Sequence, residues 1–293
     1  MRNFEQFIAV DWSGAKAPKS GKSIAVAQAH KQTKSVTMPP PPDGGNWSRQ
    51  DVADLIGEVV RRQERTLIGV DCNFGYAAEV GRQQLGPSYS YQDLWRAVEQ
   101  TSADQADFYA EGFWTDDRYK KAFWISGEQN GFVLPRRKTE EACGTQGYGF
   151  PESPFKMIGP KQVGKGGLAG MRMAHYLKSR YGDRVCVWPF EHMDADKAWV
   201  VITEIYPRLF LSMAGHGIKK VTQRDELERV LKFFETTAPD IESFSDHDSD
   251  ALISTAGLRH LCGNGLEIPE HLSGPCGMTG DAARCEGWIF GVR

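Results

Sequence analysis

No apolar run in the sequence is long enough to cross a membrane, and Met1 to Val10 lack the basic start and apolar stretch of a secretion signal. Both absences predict a cytoplasmic protein with no membrane partner. Nor is one sign of charge in surplus: 35 Lys plus Arg stand against 38 Asp plus Glu, a net charge of −3. That removes the usual electrostatic basis for tight, non-specific binding to long nucleic acid, so a polyanionic substrate has to be held by a local basic patch or by metal. The cysteines Cys72, Cys143, Cys186, Cys262, Cys276 and Cys285 include no C-x-x-C pair. This predicts reduced thiols rather than a disulfide framework. A zinc cluster of His260, Cys262, His271, Cys276 and Cys285 matches no standard ligand spacing. Repeats and heptads are also missing, and 293 residues with 40% hydrophobic content can bury one large core. The expectation is one domain over 1–293, with residues of about 76–184 inserted and packed on it.

What is present begins with strands. Phe7 to Asp11 is a short apolar run ending in a carboxylate, followed by a turn at Trp12-Ser13-Gly14. Ser23 to Ala29 and Ser35 to Met38 are two more β-type runs, and the short polar connections predict an antiparallel meander. Pro39 to Pro42 end it. Ser48 and Asp51 then read as a helix start, with Val52, Leu55, Ile56, Val59 and Val60 on one stripe. Leu67 to Asp71 is a fourth strand, again closed by a carboxylate. Three strands, a helix and a strand is the opening order of the ribonuclease H fold, in which the first and fourth strands lie side by side and parallel. The region from about Tyr76 to Arg184 is rich in aromatics and loop residues, among them Phe113, Trp114, Phe123 and Trp124. These belong to a core more often than to a base-stacking surface. Its glycine-rich stretch, Lys161 to Gly170, leads into a helix with Gly170, Met173, Ala174 and Leu177 on one face, and Gly164 to Gly170 is either the start of that helix or a flexible loop. Val185 to Trp188 and Val200 to Ile205 are later strands; Thr222 with Asp225, and Ser245, start later helices.

The chemical signal lies in acidic residues at strand ends and on one late helix. Asp11 and Asp71 close strands, while His247 and Asp250, three apart, share a helix face. Two-metal phosphoryl hydrolysis uses such a group: hard oxygen ligands for Mg²⁺ or Mn²⁺, with enough negative charge to hold them. Either aspartate alone is equally well read as a turn residue. Glu204, inside an apolar run, needs some buried partner if it is structural. Lys165, with Arg136, Arg137 and Lys138, offers cations for substrate phosphates, and the Gly164–Gly170 stretch an anion-binding helix start. Gly21-Lys22-Ser23 is not a phosphate loop, because Lys16 stands where that motif needs glycine and a strand follows where it needs a helix.

The segments FIAVDWSG, LIGVDCNFG, VVITEIYP, SDHDSDALISTAGL and EGWIFGV, in that order from Phe7 to Val292, resemble the domain of unknown function 429 family, described as predicted nucleases with a ribonuclease H fold. The stretch from His247 to Leu252 also resembles the C-terminal metal-binding helix of Holliday-junction resolvases. The resemblance implies Asp11 as a bridging metal ligand, Asp71 as a second and Asp250 as a third, with His247 assisting and Glu204 as a fourth carboxylate candidate. Asn73 stands where that family commonly has proline.

The expectation is therefore a ribonuclease H-like α/β protein, with flanking helices on a mixed sheet of meander and parallel strands, acting as a Mg²⁺- or Mn²⁺-dependent phosphodiester hydrolase. Its catalytic carboxylates are Asp11, Asp71, Asp250 and Glu204, its metal ligands Asp11, Asp71, His247 and Asp250, and its phosphate binders Arg136, Arg137 and Lys165. The substrate is a nucleic acid or a nucleotide; the sequence leaves oligomeric state open. Two alternatives stand beside it. An actin- or sugar-kinase-like phosphotransferase needs two copies of the core, and the sequence offers one convincing meander. A non-catalytic nucleotide- or nucleic-acid-binding module would keep the fold without turnover.

Overall fold

A computed structural model of the chain describes residues 4–127, 133–159, 162–191, 196–217, 219–263 and 280–293. Its six strands are β1 (Gln6–Asp11), β2 (Ala25–His30), β3 (Val36–Thr37), β4 (Thr66–Val70), β5 (Val185–Val187) and β6 (Val200–Glu204). They form one sheet in the order β3-β2-β1-β4-β6-β5. The meander pairs β1 with β2 and β2 with β3 antiparallel, while β4, β6 and β5 extend the sheet parallel to β1. The fold is thus α/β with a mixed sheet and flanking helices.

The α-helices among the described residues are α1 (Pro18–Gly21), α2 (Arg49–Arg62), α3 (Ala78–Leu85), α4 (Tyr91–Ser102), α5 (Glu111–Thr115) and α6 (Lys138–Thr145). After these come α7 (Val163–Tyr181), α8 (Pro207–Met213), α9 (Arg224–Phe233) and α10 (Asp246–Gly263). Two of the starts carry caps legible in the sequence. Ser48 and Asp51 exchange hydrogen bonds in a capping box for α2, and Ser245 and Asp248 do the same for α10.

Both sheet faces are covered, which is why the central strands are apolar at every position rather than at alternate ones. Ile8, Val10, Ile68, Val70 and Ile202 pack with α2 and α7. Phe7, Ala9, Leu67 and Val201 pack with α8, α9 and α10. Of the aromatics between β4 and β5, Phe113, Trp114 and Phe123 are buried in the core, Trp124 is half-buried, and Tyr76 packs against Phe155 with ring centroids 4.6 Å apart. They are not a base-stacking surface.

Of the two readings of the glycine-rich stretch, a helix start and a flexible loop, the structure has the first: Gly164, Gly166, Gly167 and Gly170 lie inside α7, which begins at Val163. Glycines cost helix stability, and here they allow close approach. A Cβ on Gly167 would meet Asn73 Oδ1 at 2.0 Å, and one on Gly170 would meet Cys72 Sγ at 2.4 Å. The helix therefore rests directly on the loop leaving β4, next to Asp71.

Candidate active site

The parallel pairing of β1 with β4 puts Val10 opposite Val70, so the residues that follow, Asp11 and Asp71, leave the sheet at the same edge. Asp71 N donates to the Val10 carbonyl at 3.0 Å, which fixes the two ends together. Helix α10 lies across β1 and β2, with Thr255 Oγ1 donating to the Ala27 carbonyl at 3.1 Å, and its first turns bring His247 and Asp250 to that edge. Asp11, Asp71, His247 and Asp250 all line one cavity of about 240 Å³. Trp12, Lys220 and Arg208 share its wall, and Phe150, Pro151 and Val163 give it an apolar side. Phe150 is 74% exposed, with its ring laid over the backbone of Gly144.

The cluster holds more carboxylate than cation. Asp11 accepts a hydrogen bond from His247 Nδ1, and Lys220 pairs with Asp246 and, at 3.6 Å, with Asp250. Among the described residues no hydrogen bond or ion pair reaches the Asp71 side chain. Burial first, and then repulsion from Asp11, Asp250 and Glu204, hold the Asp71 carboxyl well above the ordinary carboxylate range. Burial likewise raises Asp11, although the bond from His247 works against it. The same bond raises His247. Burial and the neighbouring Asp11 push Asp250 from 3.8 up to about 6.

That last shift has a stability consequence. A carboxylate whose folded pKa lies above its unfolded value contributes stability below pH 3.8 that is lost as the pH rises through about 6. Metal-free Asp250→Asn should therefore be more stable than the parent at neutral pH, by up to roughly 3 kcal/mol, with a flatter profile between the two values. Urea denaturation at stepped pH checks this, and an unchanged profile would show that Asp250 ionises without strain.

Glu204 behaves differently. It is in register with Val70, one residue out of phase with Asp71, and lines the same cavity as the three aspartates. There it accepts two hydrogen bonds from Arg137, at 2.8 and 2.6 Å. Arg137 is itself buried and also bonds Glu140 at 2.7 Å and the Glu286 carbonyl at 2.8 Å. The Glu286 carboxylate accepts from Ala78 N and Lys138 N, tying the starts of α3 and α6 together.

Of the residues expected to bind substrate, Arg137 is thus committed to a buried ion-pair network, because its guanidinium is the partner that Glu204 requires. Arg136 is not on the cavity wall and donates to the Pro151 carbonyl, while Lys138 pairs with Glu141. Lys165 lines a neighbouring cavity. Lys220, Glu140, Glu286 and Phe150 were not singled out by the sequence. Lys220 lies in a connection with no regular spacing to Asp250, so no pattern marks it. For the zinc alternative, His271 and Cys276 lie outside the described residues, as does Lys161.

The donor types at Asp11, Asp71 and Asp250 are those that hard divalent cations take. In the described residues no three His, Cys, Asp or Glu side chains stand within joint ligating range. Asp11 is instead bonded to His247, and Asp250 is paired with Lys220. The chemistry of the donor set fits Mg²⁺ or Mn²⁺; its arrangement requires those two pairs to open. Among the described residues no helix is long and apolar enough to cross a membrane. No family model, curated protein or solved structure matches the chain.

Proposed function

We propose that this chain is a metal-dependent phosphodiester hydrolase on a ribonuclease H-like sheet. The strand order, with an antiparallel meander leading into parallel β4, supports the fold reading. The observation that carries the function is the convergence of Asp11, Asp71 and Asp250, from three separated segments, on one cavity. Carboxylates brought together at a cost to stability are characteristic of a site kept for binding or catalysis.

Asp11, Asp71 and Asp250 would hold Mg²⁺ or Mn²⁺, and His247 would leave Asp11 for the cavity when they do. A divalent cation bound there supplies a water of lowered pKa and stabilises the leaving oxygen. Trp12 and Val163 add apolar surface to the cavity wall, and Arg208 adds a positive charge to it. The Arg137 network keeps Glu204 and the chain around Glu286 fixed beneath the carboxylates, as a support and not as a ligand set. The phosphotransferase alternative requires a second copy of the meander, and the described residues form a single sheet.

The direct test is hydrolysis of bis-p-nitrophenyl phosphate by purified protein with added Mn²⁺. Turnover should appear with Mn²⁺ or Mg²⁺, vanish with a chelator and return on re-addition. Absence of turnover, or turnover indifferent to chelation, would remove the reading.

A further inference from the structure

A second cavity, of about 450 Å³, opens beside the first and shares Trp12, Asp71, Val163 and His247 with it. Its far wall has the opposite character, carrying Ser13, Lys16, Ser23 and Lys165. Resting on the hydrolase reading above, we propose that this cavity is a phosphate-binding lobe, so that the substrate is a nucleotide-sized phosphodiester bearing a further phosphate and not a length of duplex.

The lobe is built from the turn after β1 and the first turn of α7, held face to face. Trp12 Nε1 donates to the Gly166 carbonyl at 3.0 Å. A Cβ on Gly14 would meet Gly166 N at 2.4 Å, so only glycine lets the two backbones touch. Behind the turn, fully buried Arg49 donates to the Ser13 and Ala15 carbonyls at 2.7 and 2.9 Å. The wall is therefore rigid before any ligand arrives, which lowers the entropic cost of binding.

Its chemistry suits an anion. Lys165 Nζ lies 5.8 Å over the ring of Trp114, and among the described residues no carboxylate pairs with it. Lys16 Nζ lies 5.7 Å over the ring of Tyr109, and its pair with Glu111, at 3.3 Å, is exposed and one that a phosphate can displace at small cost. The Ser13 and Ser23 hydroxyls lie 2.9 Å apart on this wall, with Ala15 N donating to Ser13 Oγ at 3.1 Å and the Pro18 carbonyl 3.4 Å from Ser23 Oγ. The start of α7 has no acidic residue in its first turn and so adds the positive end of a 19-residue helix. Asp71, on the shared wall, places the carboxylate cluster next to this lobe, so one ligand can span both.

Size and charge set the substrate class. Cavities of about 240 and 450 Å³ are of the scale that encloses a small molecule. Duplex binding instead rests on an extended basic face. The exposed cations Lys19, Lys120, Arg118 and Lys138 are each held by a neighbouring carboxylate, and the whole chain carries −3.

Calorimetry with a nucleoside bisphosphate and the matching monophosphate, on the full chain with Mg²⁺ present, tests the proposal. The bisphosphate should bind at least about tenfold more tightly, as one charge-assisted contact implies. Lys165→Ala should erase that advantage, Lys165→Glu should reverse it, and Lys165→Arg should retain most of it. Equal affinity for both ligands, or an advantage that survives Lys165→Glu, overturns the lobe. Tighter binding of a long duplex than of the bisphosphate also overturns it. Hydrolysis of bis-p-nitrophenyl phosphate by the unaltered protein is read separately. That reaction needs no second phosphate, so its presence with a failed lobe test spares the hydrolase reading, and its absence with a positive lobe test does the reverse.

Discussion

Asp11→Asn should lower Mn²⁺-dependent phosphodiester hydrolysis by three powers of ten or more, which is about 4 kcal/mol of transition-state stabilisation. The substitution keeps size and shape and removes the charge. Asp11 is the carboxylate that links the cluster: it bonds His247 and raises both Asp71 and Asp250. A neutral amide there weakens any shared cation and deprives the cavity of its central negative charge. Folding should survive, because a buried carboxylate is exchanged for a group that costs less to desolvate. The measurement pairs initial rates with urea denaturation. A variant as stable as the parent, or more so, and almost inactive is the expected result. A variant that keeps a tenth or more of the parent rate would take Asp11 out of the mechanism.

Arg137→Met should destabilise the protein by about 3–5 kcal/mol, the usual cost of leaving buried charge without its partner. The guanidinium is buried with Glu140 and Glu204 on it, and methionine fills similar space without a donor. Burial already pushes Glu140 to about 7 with Arg137 in place, so removing the arginine leaves two carboxylates that must protonate or take on water. The link to the Glu286 carbonyl is lost at the same time. Arg137→Lys should recover only part of the loss, because an ammonium cannot serve both carboxylates in the fork geometry. A loss under about 1 kcal/mol would show that the network contributes little to folding.

Several of these features could be read before the structure, for identifiable reasons. Strands such as Phe7–Asp11 and Leu67–Asp71 announce themselves because a strand covered on both faces is an unbroken apolar run, and a carboxylate ends it abruptly. The starts of α2 and α10 were legible because a capping box is local, confined to Ser48 with Asp51 and Ser245 with Asp248. The glycines of α7 left helix start and loop both open because glycine is weak in helices, whereas Gly167 and Gly170 answer to Asn73 and Cys72, about a hundred residues away in sequence. Arg137 looked like a substrate cation because nothing nearby in sequence reveals that Glu204 claims it. Glu204 shares the cavity with Asp71, and what sets it apart is the buried Arg137 that pairs with it, 67 residues away in sequence. Lys220 has no signature at all; a lysine in a connection acquires its role from where the chain happens to pass.

In the proposed hydrolase, Asp11, Asp71 and Asp250 act together on one divalent cation. Crystals soaked in Mn²⁺ and measured at its absorption edge test this most directly. An anomalous peak is expected among those three carboxylates, with His247 swung away from Asp11 and Lys220 away from Asp250. A fully occupied crystal with no peak there, and Asp11 still bonded to His247, would contradict it.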